Sequence, residues 1–174
     1  ARAAIKLGIG KNSYVVGGAV RNHILGVPPK DYDLVIDPTA LGGRDSEWFA
    51  KALQREIPAR TSLVTNNYGV AILTVGGDWI LEGENLAGEV IEIANTRTES
   101  YGAGGGYKPE KVEVSDIHQD VLRRDFSANT LLWRLHDLAD GPDKAEILDL
   151  TGKGLKDIQD GVLRTPKDPD VTFS

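Results

Sequence analysis

With 174 residues, 40% of them hydrophobic and 26% charged, the chain has the length of one domain, or one domain with a short extension, and enough apolar side chains for one buried core. It has no cysteine, which excludes disulfides and cysteine-ligated zinc, and no apolar run approaches the roughly 18 residues that a membrane-spanning helix needs. A net charge of −6 excludes a surface that coats nucleic acid indiscriminately, so any RNA contact must be local or must come from elsewhere.

The first residues do not read as a signal peptide, and a cytoplasmic protein is expected. The chain opens Ala-Arg-Ala and contains no methionine, so it is expected to be a portion of something longer. Its oligomeric state is not legible.

In chain order, residues 1–10 read as the end of a helix closed by Gly8 or Gly10. Residues 14–16 are a short apolar strand that stops at Gly17-Gly18, and residues 19–25 are a short helix capped by Gly26. Two prolines make residues 27–30 a turn, and residues 31–37 read as a second strand. A loop over 38–44 leads to a helix that starts at Asp45 or Ser46 and runs to about Glu56. Its apolar stripe is Trp48, Phe49, Ala52, Leu53 and Ile57. Strands are predicted over 70–75 and 90–94, with a longer connection starting at Gly76-Gly77. Residues 100–112 are glycine-rich, with Gly102, Gly104, Gly105 and Gly106, and read as a mobile loop. Residues 116–129 read as helical, whole or broken in two. Residues 131–135 are a strand or a continuation of that helix, and 147–150 a strand. Residues 1–165 then form the domain, and 166–174 an exit linker. The order mixes strands and helices without strict alternation, which predicts an α+β fold: a small mixed sheet with helices packed mainly on one face.

The strongest chemical feature is Asp31-Tyr32-Asp33. On a strand, residues i and i+2 share a face with Cα atoms ~7 Å apart, so both carboxylates would point the same way. Two adjacent negative charges repel and call for a cation. Oxygen-only ligands suit magnesium, which takes one or two carboxylates and completes its shell with water and phosphate oxygens. Two such ions can clamp the attacking and leaving oxygens of a displacement at phosphorus. Taken alone, two solvated acids at a strand start are the preferred reading of the pair.

The neighbourhood adds to it. Gly17-Gly18 stands between a strand and a helix, where glycine allows close backbone approach to a ligand and the helix start offers N–H groups to phosphate. Arg21, one turn on, supplies a charged fork for a triphosphate oxygen. A tight turn with a surface arginine is the plainer alternative. Strand, diglycine, helix, turn, and strand with D-x-D together are more specific than either part.

These residues resemble a known family. Gly17-Gly18-Ala19-Val20-Arg21-Asn22, then Leu25-Gly26, then Lys30-Asp31-Tyr32-Asp33-Leu34 are similar to the GGxVRD, LLG and KDxDL signature of the class II tRNA nucleotidyltransferases (CCA-adding enzymes) and bacterial poly(A) polymerases. Leu122-Arg123-Arg124-Asp125-Phe126-Ser127-Ala128-Asn129 resembles the RRDFTxNA motif of that family. Tyr68-Gly69-Val70 resembles its FGT strand start, Ile91-Glu92-Ile93-Ala94-Asn95-Thr96-Arg97 its EVTTFR strand, and Gly161-Val162-Leu163-Arg164-Thr165 the segment that closes its head.

The resemblance implies a polymerase-beta-like nucleotidyltransferase head and a magnesium-dependent site. The reaction would transfer CMP or AMP from CTP or ATP to an RNA 3′ hydroxyl, with tRNA the expected acceptor, and release pyrophosphate. It assigns Asp31 and Asp33 as catalytic metal ligands, and Gly17, Gly18 and Arg21 as the triphosphate-binding turn. Arg97, Arg124, Asp125 and Asn129 join the nucleotide site, with Glu92 a candidate supporting carboxylate. Asn22 stands where the motif has aspartate, and Thr130 where it has alanine. The Glu-Asp-x-x-Arg helix with which the family's neck reads the base has no match in the chain, so CCA addition and poly(A) synthesis are not separable. A head that holds a nucleotide or a partner without turnover is a second reading, and a nucleotidyltransferase acting on a non-RNA hydroxyl a third.

The remaining residues have plainer readings. Arg123-Arg124-Asp125 could be a helix-surface ion pair. Phe126 reads as core, and Trp79 and Trp133 could stack bases, with packing the preferred reading of both. His23, His118 and His136 share no metal-ligand spacing. Lys108 and Lys111 could touch RNA phosphate or simply be solvated, and Glu82, Glu84 and Glu89 read as a solvated connection.

Overall fold

Apolar and β-branched residues bring the chain into its central strand early. The computed structural model describes residues 1–81, 83–100 and 109–168. Helix α1 (Arg2–Lys6) and a 3₁₀ turn (Gly10–Asn12) lead into β1 (Ser13–Val16), all four residues of which are buried. At Gly17 the backbone takes φ 73°, ψ −127°, a conformation that residues with a Cβ rarely adopt, and the chain turns directly into α2 (Gly18–Ile24). Next come β2 (Asp33–Ile36) and α3 (Ser46–Glu56), whose cap Asp45 accepts from Trp48 N at 2.8 Å. Then follow β3 (Thr61–Thr65), β4 (Ala71–Val75), a hairpin of β5 (Ile80–Leu81) and β6 (Glu84–Asn85), β7 (Val90–Asn95), and a ribbon of β8 (Arg97–Ser100) and β9 (Lys111–Val114). Asp116 caps α4 (Ile117–Leu122) by accepting from Gln119 N at 2.8 Å. A 3₁₀ turn (Ser127–Asn129), β10 (Leu132–Arg134), two further 3₁₀ turns, β11 (Ile147–Leu148) and α5 (Gly154–Asp160) complete the order.

Seven strands form one mixed sheet in the order β11-β10-β1-β2-β7-β4-β3, with β2 and β7 parallel and the other pairs antiparallel. Alternation divides its side chains between two cores. Val15, Ile36, Ile93 and Trp133 share one with Ala19 and Val20 of α2 and Phe49 and Ala50 of α3. Tyr14, Val16, Val35 and Leu132 share the other with Ile117 and Val121 of α4. The helices thus lie mainly on one face, and α4 covers part of the second.

Several elements depart from the sequence reading. The second strand begins at Asp33 rather than at residue 31. Its partner β1 ends at Val16, paired with Asp33, and the turn at Gly17 leaves Asp31 no ladder to join. Of the two readings of 116–129 the broken one holds, with Phe126 in extended conformation between α4 and the 3₁₀ turn. Strand β3 and helix α5 were not anticipated, and the long connection after Gly76-Gly77 contains a hairpin. Ser100, Lys111 and Val112, assigned to the glycine-rich loop, belong to the β8–β9 ribbon. That loop's four glycines, Lys108, Glu82 and residues 169–174 of the exit linker lie outside the described residues. None of the described helices is long and apolar enough to cross a membrane.

Two packing details anchor the elements at the two ends of β1. Asp37, buried at the end of β2, accepts from Thr39 N (3.0 Å) and Ala40 N (3.2 Å) with Oδ1, and from Ile117 N (3.1 Å) with Oδ2. That last bond pins the start of α4 to the sheet. Helix α5 in turn presses on the 3₁₀ turn. Asp157 Oδ2 accepts from Ser127 Oγ at 2.6 Å, and a Cβ at Gly154 would stand 2.7 Å from Ser127 O and 2.8 Å from Leu131 Cδ2. Gly154→Ala is therefore expected to destabilise the fold by about 1–3 kcal/mol, the usual cost of overpacking. A thermal melt beside the wild type checks this.

Candidate active site

The site gathers at the end of β1, at the first residue of β2, along β7 and at the C-terminal end of α4. Asp33 pairs with Val16 across β1–β2 and shares its face with Val35, the face that α4 covers. On the other side, β2 and β7 run parallel with Leu34 opposite Ile93. Asp33 and Glu92, each one residue earlier, therefore stand side by side on that same face. Both line a cleft of ≈ 190 Å³ that Arg97, Arg123 and Arg124 also line. Asp31, Asp33 and Glu92 line a second, larger cavity of ≈ 630 Å³, so Asp33 and Glu92 sit where the two meet. Asp31 and Asp33 are exposed. Among the described residues, no hydrogen bond or ion pair engages either carboxylate.

The diglycine turn is immediately beside Asp33. A Cβ built on Gly17 would lie 3.9 Å from Asp33 Oδ2, 3.5 Å from Arg124 Nη1 and 3.8 Å from the Asn129 carbonyl. Three segments far apart in sequence thus converge on one atom position. A side chain there would fill the space between an anionic and a cationic group.

Around this point the predicted residues form two hydrogen-bonded chains. In the first, Arg21 Nη1 donates to Asn129 Oδ1 at 2.6 Å, and Asn129 Nδ2 donates to Asp125 Oδ1 at 2.9 Å. Arg21 Nε and Nη2 also donate to Asn22 Oδ1, at 3.1 and 2.9 Å. Asn22, the departure from the signature, therefore still holds the guanidinium, by its carbonyl oxygen. In the second, Asp120, fully buried, accepts from Arg97 N (3.1 Å) and Arg123 Nε (3.0 Å) with Oδ1, and from Arg124 Nη2 (3.0 Å) with Oδ2. Glu99 Oε1 accepts from Arg97 Nε (2.8 Å) and Arg123 Nη1 (3.1 Å). Arg124 is thereby held from its α4 side, and Nη1 is left beside the turn. These charge-assisted bonds fix guanidinium planes that would otherwise lose rotamer freedom only when a ligand binds.

Sequence reasoning missed Asp120 and Glu99. Asp120 lies three and four residues before Arg123 and Arg124 on a predicted helix, a spacing that brings charges together, and Glu99 lies two residues from Arg97 on an extended segment. The suggested pairing of Arg124 with Asp125 does not form: Arg124 turns to Asp120, while exposed Asp125 accepts from Phe126 N and Asn129. Trp133 is core, with His23 edge-on to it at 5.0 Å. Phe126 is half-buried. Trp48 is partly buried against the first core, with Arg44 over its ring at 4.8 Å. Lys111 pairs with Glu113 at 2.8 Å. His118, His136, Glu84 and Glu89 are exposed.

Known proteins resemble this chain in sequence and in fold. Residues 13–164 match the poly(A) polymerase head domain family. The CCA-adding enzyme of Ligilactobacillus salivarius is 30% identical over 166 residues, which is 94% of this chain and 33% of that protein. Poly(A) polymerase I of Escherichia coli O157:H7 is 27% identical over 164 residues, 94% of this chain and 31% of that protein. An apo structure of a CCA-adding enzyme superposes with a TM-score of 0.66 at 29% identity, over 95% of this chain and 33% of the other. A tRNA-processing enzyme with CTP superposes with a TM-score of 0.64 at 25% identity, over 99% and 36%. The chain spans about a third of the length of the curated relatives it matches. The match takes in both the diglycine-to-D-x-D segment and the arginine-rich turn beside it, and the fold agrees with that of the CCA-adding enzymes, so this chain belongs to the poly(A) polymerase head domain family.

Proposed function

We propose that the chain is the catalytic head, over residues 1–165, of a template-independent RNA nucleotidyltransferase. It would add CMP or AMP from CTP or ATP to an RNA 3′ hydroxyl, that of tRNA in the first instance, and release pyrophosphate. One observation carries the reading: Asp33 Oδ2, Arg124 Nη1 and the Gly17 backbone converge on one point. A carboxylate for a cation and a guanidinium for a phosphate are thereby set on either side of a bare backbone whose φ of 73° favours glycine.

The donor set suits magnesium. Asp31 and Asp33 offer only hard oxygens, are open to solvent, and leave room for the waters and phosphate oxygens that this ion retains. Asp31 and Asp33 would hold it; Glu92 stands beside Asp33, although among the described residues no three such side chains close on one point. When bound, the ion supplies Lewis-acid polarisation of the phosphoryl oxygens and a lowered pKa for the attacking hydroxyl. The protein's own groups do the rest by position and charge. Gly17 and Gly18 let the triphosphate lie close to the backbone. Arg21, oriented by Asn22 and Asn129, and Arg124, oriented by Asp120, neutralise its oxygens. Arg97 borders the same cleft, and Asp125 keeps Asn129 turned towards Arg21. A related tRNA-processing enzyme with CTP and a CCA-adding enzyme in complex with ATP support the choice of triphosphate, and a Thermotoga maritima CCA-adding enzyme complexed with tRNA supports the acceptor.

The test is incubation with magnesium, each labelled nucleoside triphosphate in turn, and tRNA lacking its 3′ end. A ladder of extended RNA is expected, absent when the metal is chelated. Binding of triphosphate with no product would make the chain a nucleotide-holding module instead.

A further inference from the structure

The larger cavity has a wall to which the proposed reaction gives no role. It opens at the end of the sheet where β2 and β7 begin and β4 ends. Asp31, Asp33 and Glu92 line it together with Trp79 and Leu86, the residues that flank the β5–β6 hairpin. The hairpin is tied to the sheet rather than loosely appended. Val75 N donates to Glu89 O (2.9 Å), Gly88 N to Val75 O (2.7 Å) and Leu86 N to Trp79 O (2.9 Å), while Asn85 Oδ1 accepts from Trp79 N (3.3 Å). The Trp79 backbone is thus fixed, and this half-buried residue lines the same cavity as the three acids.

We propose that this wall is the subsite for the terminal base of the acceptor RNA, with Trp79 as its stacking surface. The inference rests on the proposed function and on three further points. First, in-line displacement sets the attacking and leaving oxygens on opposite sides of the α-phosphorus. The diglycine turn, which takes the leaving pyrophosphate, continues β1. The cavity lies across β2 from it, against β7, so the 3′ oxygen must arrive from the cavity side. Second, Asp31, Asp33, Glu89 and Glu92 face Lys30 alone among the cavity's charged residues. With Asp31 and Asp33 left to the cation, Glu89 still disfavours phosphate, and Leu34, Val75, Leu86 and Val90 suit the uncharged face of a base. Third, ≈ 630 Å³ is within the range of small-ligand sites, and stacking on an aromatic ring holds any base without selecting it. The wall therefore positions the acceptor whatever its last nucleotide, as stepwise addition requires.

The experiment titrates the protein, in magnesium, with a labelled oligoribonucleotide bearing a free 3′ hydroxyl, and separately with the same oligonucleotide lacking its terminal base. Trp79→Ala should weaken binding of the intact oligonucleotide about tenfold or more. Removal of the base should weaken wild-type binding by the same factor, and the two changes together should cost no more than either alone. Trp79→Phe, which keeps an aromatic face, should stay within about threefold of wild type, and nucleoside triphosphate affinity should be unchanged throughout. Unaltered RNA binding by Trp79→Ala, losses that multiply with base removal, or a Trp79→Phe loss as large as that of alanine would overturn the subsite. Failure of the wild type to bind nucleoside triphosphate would instead overturn the proposed function, and the base-removal cycle would still decide the stacking.

Discussion

Asp33→Asn is expected to abolish nucleotide transfer while leaving the fold intact. The side chain is exposed, and among the described residues its carboxylate has no hydrogen bond or ion pair to lose, so the amide fits without strain. What changes is chemistry. A neutral amide beside Arg124 and the Gly17 turn cannot bring a cation against the phosphoryl group. Charge stabilisation by a bound ion amounts to several kcal/mol, and about 1.4 kcal/mol is a tenfold change in rate, so the loss should reach roughly a thousandfold or more. Single-turnover primer extension, beside a thermal melt within about 2 °C of wild type, checks both halves. Transfer at the wild-type rate by Asp33→Asn protein would remove the basis of the proposed mechanism.

Asp120→Asn should have the opposite profile, a large loss of stability from a residue that touches no reacting atom. Its carboxylate is fully buried and accepts from two guanidiniums and a backbone N–H. An amide has one acceptor oxygen and no charge, so one of the two arginines loses its bond and both lose a counterion. Removing one partner from a buried ion pair costs about 3–5 kcal/mol. The lower end applies here, because the Arg123 and Arg124 side chains keep 21% and 15% exposure to water. About 3 kcal/mol corresponds to a fall in Tm of roughly 6–12 °C for a chain of this size. Calorimetric or circular-dichroism melting measures it. A shift under about 2 °C would mean that Glu99 alone can balance the three arginines.

The two residues differ in how far the sequence discloses them. Asp33 is conspicuous because its D-x-D pair follows a strand, a diglycine and a short helix, a combination that is legible in the sequence. Asp120 is an ordinary acid on a helix until the fold buries it. The same distinction runs through the elements. Strands β1, β4 and β7 and helix α3 are legible because their apolar periodicity is local. Strand β3 was missed because its five residues are mostly exposed at the sheet edge, where pairing with β4 rather than side-chain pattern makes the strand. Helix α5 was missed because glycine at its start is explained only by the backbone of Ser127 pressed against it.

Local sequence determined the chemical inventory of this protein: an acid pair, a diglycine turn after a buried strand, an arginine one turn on, and an arginine-rich segment about a hundred residues later. Those follow from residue type and short spacing, which covalent geometry controls. Which of them meet was decided only by tertiary structure. The parallel pairing of β2 with β7 set Glu92 beside Asp33, and the bond from Asp37 to the start of α4 carried Arg124 to within reach of Gly17. Strand register and helix docking depend on long-range pairing and burial, and no short stretch of residues encodes those.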